Sequence, residues 1–179
     1  MKPAPFDYQA PGTLREAIDL LASNPEACVI AGGQSLMPVL AFRLATPSLL
    51  VDLRRLPGLG NIDLRDDGFR LGALVRWRDI EDDQRLASAH PLLRAAIAHV
   101  AHYQIRNRGT VGGSLAHADP AAELPRVAVT CEGEILSTLA PLRVLRARTS
   151  DPARPRPVVG EGVRSCPRAQ CGKSACCVR

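Results

Sequence analysis

The sequence predicts an α+β fold built from two small α/β subdomains, and three observations carry that prediction. The first 56 residues read as helix, strand, apolar stretch and strand in succession. Pro57-Gly58 then punctuates the chain, and a hairpin followed by several short helices takes over. Beyond about residue 138 neither a helical nor a strand period persists. Hydrophobic residues make up 46% of the 179, enough for a sizeable core, which excludes wholesale disorder. No run of about 18 apolar residues is present, so no membrane span is expected. Residues 1–7 lack the apolar centre of a signal peptide, which makes the cytoplasm the expected location.

The elements follow in order. Thr13 and Glu16 have capping-box spacing ahead of Leu14, Ala17, Ile18 and Leu21, and Asn24-Pro25 stops the helix they predict. Cys28-Val29-Ile30-Ala31 is a short apolar run ending in Gly32-Gly33, read as a buried strand that enters a tight turn. A second apolar stretch covers residues 36–44, and Leu49-Leu50-Val51 reads as another strand. These residues, 1–56, form the first expected subdomain. In the second, 57–138, residues 61–65 and 69–75 flank Asp66-Asp67-Gly68, a hairpin signal. A polar helix is expected near residues 79–86. Pro91 opens a stronger one with Leu93, Ala96, Ile97 and Val100 on one face. Residues 104–113 read as an Arg- and Gly-rich loop, Asp119-Pro120 as the start of a helix ending near Val129, and Glu134-Ile135-Leu136 as the start of a strand.

The net charge of +5 separates into two unlike parts. Residues 1–138 hold 14 Lys and Arg against 16 Asp and Glu, whereas residues 139–179 hold 9 against 2. The body is therefore mildly acidic, and no nucleic-acid partner is expected. The tail, 139–179, draws 28 of its 41 residues from Arg, Pro, Ala, Cys, Gly and Ser, so it cannot build a packed core of its own. Its cysteines, Cys166, Cys171, Cys176 and Cys177, fit no common zinc or cluster spacing and have no histidine nearby, so no metal site is expected. Arginine outnumbers lysine 21 to 2, as in a GC-rich gene, and such a gene read in a shifted frame yields this composition. Residues from about 137 onward are expected to be a frameshifted, aberrant or disordered end.

Two motifs carry chemistry. Ala31-Gly32-Gly33-Gln34-Ser35-Leu36 follows a strand, and Gly109-Thr110-Val111-Gly112-Gly113-Ser114-Leu115 repeats the chemistry about 80 residues later. Paired glycines permit positive φ and let another molecule approach the backbone without meeting a Cβ. Successive N–H groups in such turns can form an anion site, to which Ser35 and Ser114 add hydroxyls. Neither motif is the Rossmann fingerprint or a phosphate loop with lysine. Together, each followed by Ser and Leu, they point to a dinucleotide-sized ligand between two subdomains. Taken alone, each is more often just a tight turn than a ligand site.

These residues resemble the two FAD signatures of the molybdenum hydroxylase flavoproteins, the medium subunits of the carbon monoxide dehydrogenase and xanthine dehydrogenase family with the PCMH-type FAD-binding fold. The first signature matches residues 31–38 and the second residues 110–125; Phe6-Asp7-Tyr8 and residues 47–53 extend the likeness, which covers about residues 4–136. The resemblance implies a non-covalent FAD, because Gln34 stands where covalent relatives present His or Cys. It implies that Ala31, Gly32, Gly33, Gln34, Ser35 and Leu36 wrap the diphosphate. Thr110, Val111, Gly112, Gly113 and Ser114 would hold its other side, and Asp119 and Glu123 would accept hydrogen bonds from ribose or ribityl hydroxyls. Asp119 reads equally as a helix N-cap before Pro120.

The same resemblance implies an oxidoreductase subunit that passes electrons from an iron–sulfur small subunit to an external acceptor, beside a molybdopterin large subunit. No catalytic acid or base is implied, since the chemistry belongs to the flavin ring. The family's C-terminal domain is missing after about residue 137. A truncated fragment that does not hold FAD and a stand-alone FAD oxidase are the alternatives. Outside the signatures, His99 and His102 read as an i, i+3 helix pair without a third ligand, Trp77 and Cys28 as core residues. His117 reads as a residue of the second motif, lining the site or serving the loop, and Tyr103 as a residue with a conceivable flavin-side role.

Overall fold

The computed structural model describes residues 2–65, 68–131, 133–137 and 156–162. Three parallel strands, β1 (Asp7–Gln9), β2 (Ala27–Ile30) and β3 (Leu49–Asp52), form the first sheet in the order β1-β3-β2, with Tyr8 and Cys28 both in register with Leu50. All four residues of β3 are buried, which explains its continuous apolar run: a central parallel strand is covered on both faces. β1 is short, polar and exposed, and so carries no period a reader could find.

Helix α1 (Leu14–Ser23) begins as its sequence predicts. Thr13 Oγ1 accepts the Glu16 amide at 3.2 Å. The Glu16 carboxylate accepts from the amide of Gly12 at 3.0 Å, one residue before the cap. Ala17 is fully buried against Leu49, Val51 and Leu53. This core continues to Leu56 and Leu59, past the sequence boundary at residue 56. Cys28, Leu40 and Leu50 form a smaller core with α2 (Leu36–Ala41). The apolar stretch at 36–44 is thus a short helix, beyond which Phe42 and Leu44 are exposed.

A second sheet holds β4 (Ile62–Arg65), β5 (Gly68–Leu71), β6 (Glu134–Ser137) and β7 (Arg156–Gly162) in the order β4-β5-β7-β6. β4 and β5 are the predicted antiparallel hairpin arms, Arg65 opposite Gly68. β7 corrects one expectation. Seven residues of the segment expected to be disordered lie parallel to β5 and β6, because strand pairing needs only backbone groups and a neighbouring edge. The remainder of the tail, including Cys166, Cys171, Cys176 and Cys177, lies outside the described residues.

Six helices pack on this side of the molecule. The polar helix expected at 79–86 divides into α3 (Trp77–Asp82) and α4 (Gln84–Ala89), because Asp83 takes the amides of Arg85 and Leu86 at 2.9 and 3.4 Å and starts a new helix. α5 (Pro91–Ala98) has proline in its first turn and His90 as its cap. Its Leu93 and Ile97 are buried, as predicted, with Trp77, Ile80, Val111, Leu124 and Val127. The stretch at 104–113, expected to be one loop, holds α6 (Tyr103–Arg106) and the start of α7 (Val111–His117). Glycine content hid α7: two glycines argue against a helix unless tertiary packing demands them. The last helix, α8 (Glu123–Thr130), starts four residues later than expected, with Ala122 at its N-cap.

Candidate functional site

The two glycine motifs meet. β2 delivers the chain into residues 31–35, where Gly33 adopts φ +70° and Gly32 lies against the backbone of Arg108 and Gly109. A Cβ on Gly32 would overlap the Arg108 carbonyl, so this approach requires glycine. The amides of Gly32, Gly33, Gln34 and Ser35 donate to no group among the described residues. Gln34 braces the turn instead, its Nε2 donating to the Gly32 carbonyl at 3.0 Å. Ser35 precedes α2 without capping it, leaving its hydroxyl uncommitted to that helix.

The second motif is built differently. Thr110 pairs with Arg76 in an antiparallel bridge, which docks the start of α7 onto residues 73–77. Val111 donates to the Val75 carbonyl at 2.9 Å and Gly112 to the Ala73 carbonyl at 2.8 Å. Gly113 donates to Thr110 Oγ1 at 3.2 Å and Ser114 to the Thr110 carbonyl at 3.0 Å. These amides are therefore committed, and the expectation that both motifs present free N–H groups is corrected for this one. A Cβ on Gly112 would come within 2.7 Å of the Ala73 Cβ, so its glycine serves a close backbone contact.

Between the motifs lies a cleft of about 380 Å³. It is lined by Ala31, Gly32, Gly33, Gln34, Ser35 and Leu36 on one side and by Thr110, Gly112, Gly113, Ser114, Asp119 and Glu123 on the other. Val111, also expected at the site, is fully buried in the core with its amide used, so it anchors the motif and does not line the cleft. Asp119 does not cap α8; its Oδ1 accepts the Ala121 amide at 2.8 Å and closes a turn. Among the described residues the lining contains no lysine and no arginine, and its carboxylates are those of Asp119 and Glu123.

Several lining residues carried no functional signal in the sequence: Leu53, Ala73, Leu74, Val100, Ala101, Ile105 and Ile135 are ordinary small or apolar residues. His117 also lines the cleft, and its Nδ1 is buried without a hydrogen-bond partner. Trp77 is core, as expected, but its indole also edges the cleft, and a Cβ on Gly109 would lie 2.6 Å from its Nε1. Tyr103 is half exposed, outside the lining, with the Arg78 guanidinium 5.5 Å above its ring. His99 and His102 cap the separate helices α5 and α6 instead of sharing one face. Among the described residues no group of three or more His, Cys, Asp or Glu is placed to hold a metal, and no helix is long and apolar enough to cross a membrane.

Leu53 reaches the cleft through a buried carboxylate. Asp52, at the end of β3, accepts from the Arg54 amide at 2.9 Å, from Arg54 Nε at 2.8 Å and from the Tyr8 hydroxyl, which fixes the turn Leu53–Arg55. Burial works to raise the pKa of Asp52, but the hydrogen bonds from Arg54 and Tyr8 overcome it and hold the carboxyl below the usual range.

A cleft between two glycine motifs, one of them with backbone amides unpaired among the described residues, is suited to an anionic cofactor. Residues 4–138 match the family described as the FAD binding domain in molybdopterin dehydrogenase, and the chain belongs to that family. It is 48% identical over 136 residues to the 6-hydroxypseudooxynicotine dehydrogenase complex subunit alpha of Paenarthrobacter nicotinovorans, covering 75% of this chain and 46% of that one. Quinoline 2-oxidoreductase from Pseudomonas putida 86 superposes with a TM-score of 0.72 at 48% identity, over 74% of this chain and 46% of that one. Carbon monoxide dehydrogenase from Hydrogenophaga pseudoflava, in a form lacking the Mo-pyranopterin moiety, gives 0.71 at 36% identity, again over 74% and 46%. The chain spans about half the length of the curated relatives it matches.

Proposed function

We propose that this chain is the FAD-binding part of the medium subunit of a molybdenum-containing hydroxylase or dehydrogenase. In this reading it takes electrons from iron–sulfur clusters on a small partner subunit and delivers them to an external acceptor. A molybdopterin large subunit would hold the substrate, and the assembly would work in the cytoplasm. The observation that carries the reading is the run of uncommitted amides at residues 32–35, facing a cleft whose other wall is the second glycine motif.

The residues present fit FAD. A diphosphate needs hydrogen-bond donors, and with no lysine or arginine in the lining among the described residues the free amides and Ser35 would supply them. Asp119 and Glu123, which line the cleft, would accept from sugar or ribityl hydroxyls. The buried, unpartnered Nδ1 of His117 is a polar atom left for a ligand to satisfy. When bound, FAD supplies an isoalloxazine ring that takes up and releases the electrons. The protein's part is to bind and orient it, and no side chain is assigned as acid or base. Domain organisation belongs to the same reading: residues 1–56 and 57–138 are the FAD-binding subdomains, and the residues from about 137 derive from a shifted reading frame.

Titrating the purified chain with FAD, ADP and riboflavin tests the binding mode. Uptake of FAD and ADP with weak binding of riboflavin is expected from a diphosphate cradle. Flavin should leave on denaturation. A colourless, protease-sensitive product that takes up no FAD would support a non-functional fragment instead, and reduction of an acceptor by the isolated chain with a small substrate would support a stand-alone oxidase.

A further inference from the structure

One wall of the cleft is a strained turn. α5 ends at Ala98, the Val100 amide still reaches back to the Ile97 carbonyl at 3.0 Å, and Ala101 then adopts φ +42°. A side chain disfavours this left-handed backbone, and the conformation persists only where neighbouring groups impose it. Val100 and Ala101 both line the cleft, as does Ile105 on α6.

Arg106, beside Ile105, is the group that imposes it. Its Nη1 donates to the Val100 carbonyl at 3.2 Å and to the Ala101 carbonyl at 3.0 Å. Both carbonyls lie beyond the end of α5, outside its hydrogen-bond ladder. The guanidinium is held from behind. Its Nε lies 2.9 Å from Glu81 Oε1, with both side chains 18% exposed, too misaligned for a hydrogen bond but close enough for strong attraction. Glu81 sits on α3, where Arg78 pairs with Asp82 at 2.8 Å and covers Tyr103 on α6. An anchored cation on one side and a strained turn on the other make a strap.

We propose that Arg106 is a positioning residue for the cofactor, holding the Val100–Ala101 turn in its binding-competent form through charge-assisted hydrogen bonds to two backbone carbonyls. This rests on the cleft being the FAD site. Without the strap the turn relaxes, the competent wall is populated only part of the time, and apparent affinity falls by that fraction.

The test uses the full chain and measures FAD affinity together with the visible circular dichroism of bound flavin. Arg106→Met should raise the FAD dissociation constant by about tenfold and change the flavin dichroism. Adding Ala101→Gly, which removes the cost of positive φ, should recover most of the lost affinity, measured against Ala101→Gly alone. Glu81→Gln should shift affinity in the same direction by less, and it keeps the test open should Arg106→Met fail to fold. Unaltered affinity and dichroism in Arg106→Met, or a loss that Ala101→Gly leaves in place, would overturn the assignment. Failure of the unmodified chain to bind FAD would count against the proposed function instead.

Discussion

Gly32 shows how a residue with no side chain decides a site. Its Cα hydrogen points at the Arg108 carbonyl and the Gly109 Cα, so the two motifs, far apart in sequence, touch only because neither carries bulk there. Gly32→Ala should therefore cost about 1–3 kcal/mol of stability through overpacking and abolish FAD uptake, read by thermal melting and by flavin fluorescence. His117 behaves in the opposite way. Its buried Nδ1 has no partner, so His117→Leu should leave stability unchanged or raise it by about 1 kcal/mol while weakening FAD binding. Equal affinity in the Leu variant would remove His117 from the site. Twelve of the thirteen residues that the resemblance implied line the cleft; its glycines and hydroxyls were legible by type, whereas Ala31, Gln34, Leu36, Asp119 and Glu123 came from the resemblance alone. Val111 misled because a β-branched residue inside a glycine motif reads as part of the loop when packing has claimed both its side chain and its amide.

Helices show the same division between what type reveals and what tertiary contact decides. Thr13, Pro91 and the Leu93/Ile97 face were legible because caps and apolar spacing are local properties. α7 was not, since Gly112 is explained only by Ala73 lying across it and Gly113 by the Thr110 hydroxyl beside it. β7 was not either, because it borrows its pairing from β5 and β6. The cap of α5 supplies a test at this scale. His90 Nδ1 accepts the Leu93 amide at 3.1 Å, its ring meets Phe69 edge-on at 5.1 Å, and burial lowers its pKa. The folded state thus prefers neutral His90, while the unfolded chain takes up a proton near pH 6.5. The contribution is complete above about pH 6.5 and is lost as pH falls through the lower folded value. Urea unfolding at pH 7.5 and 5.5 should show the unmodified chain losing about 1 kcal/mol more than His90→Asn, whose side chain still caps but does not titrate. Identical losses would show that His90 takes up its proton at the same pH in the folded and unfolded chain.

For the molecule as a whole, the charge arithmetic and the cleft together predict how binding responds to salt. Residues 1–138 carry two more acidic than basic groups, and the cleft places Asp119 and Glu123 beside the position where a diphosphate is proposed to sit. A phosphate site built on lysine or arginine loses affinity steeply as salt screens its cations. The proposed site relies instead on amide dipoles in direct contact, which salt would screen little, while the surrounding carboxylates would repel the ligand and be screened themselves. The FAD dissociation constant should therefore stay within about twofold between 50 and 500 mM NaCl, or fall slightly. The positively charged tail bears on the same measurement, because residues 139–179 carry a net +7. A chain ending at residue 162, which keeps β7 between β5 and β6, should give the same flat salt response, since the last described residue of the cleft lining is Ile135. A tenfold weakening with salt in the full chain that disappears in the shortened one would place the tail's arginines beyond residue 162 on the diphosphate. A tenfold weakening in both would assign that role to an arginine that both chains keep, with Arg108 first in line because its backbone already touches Gly32.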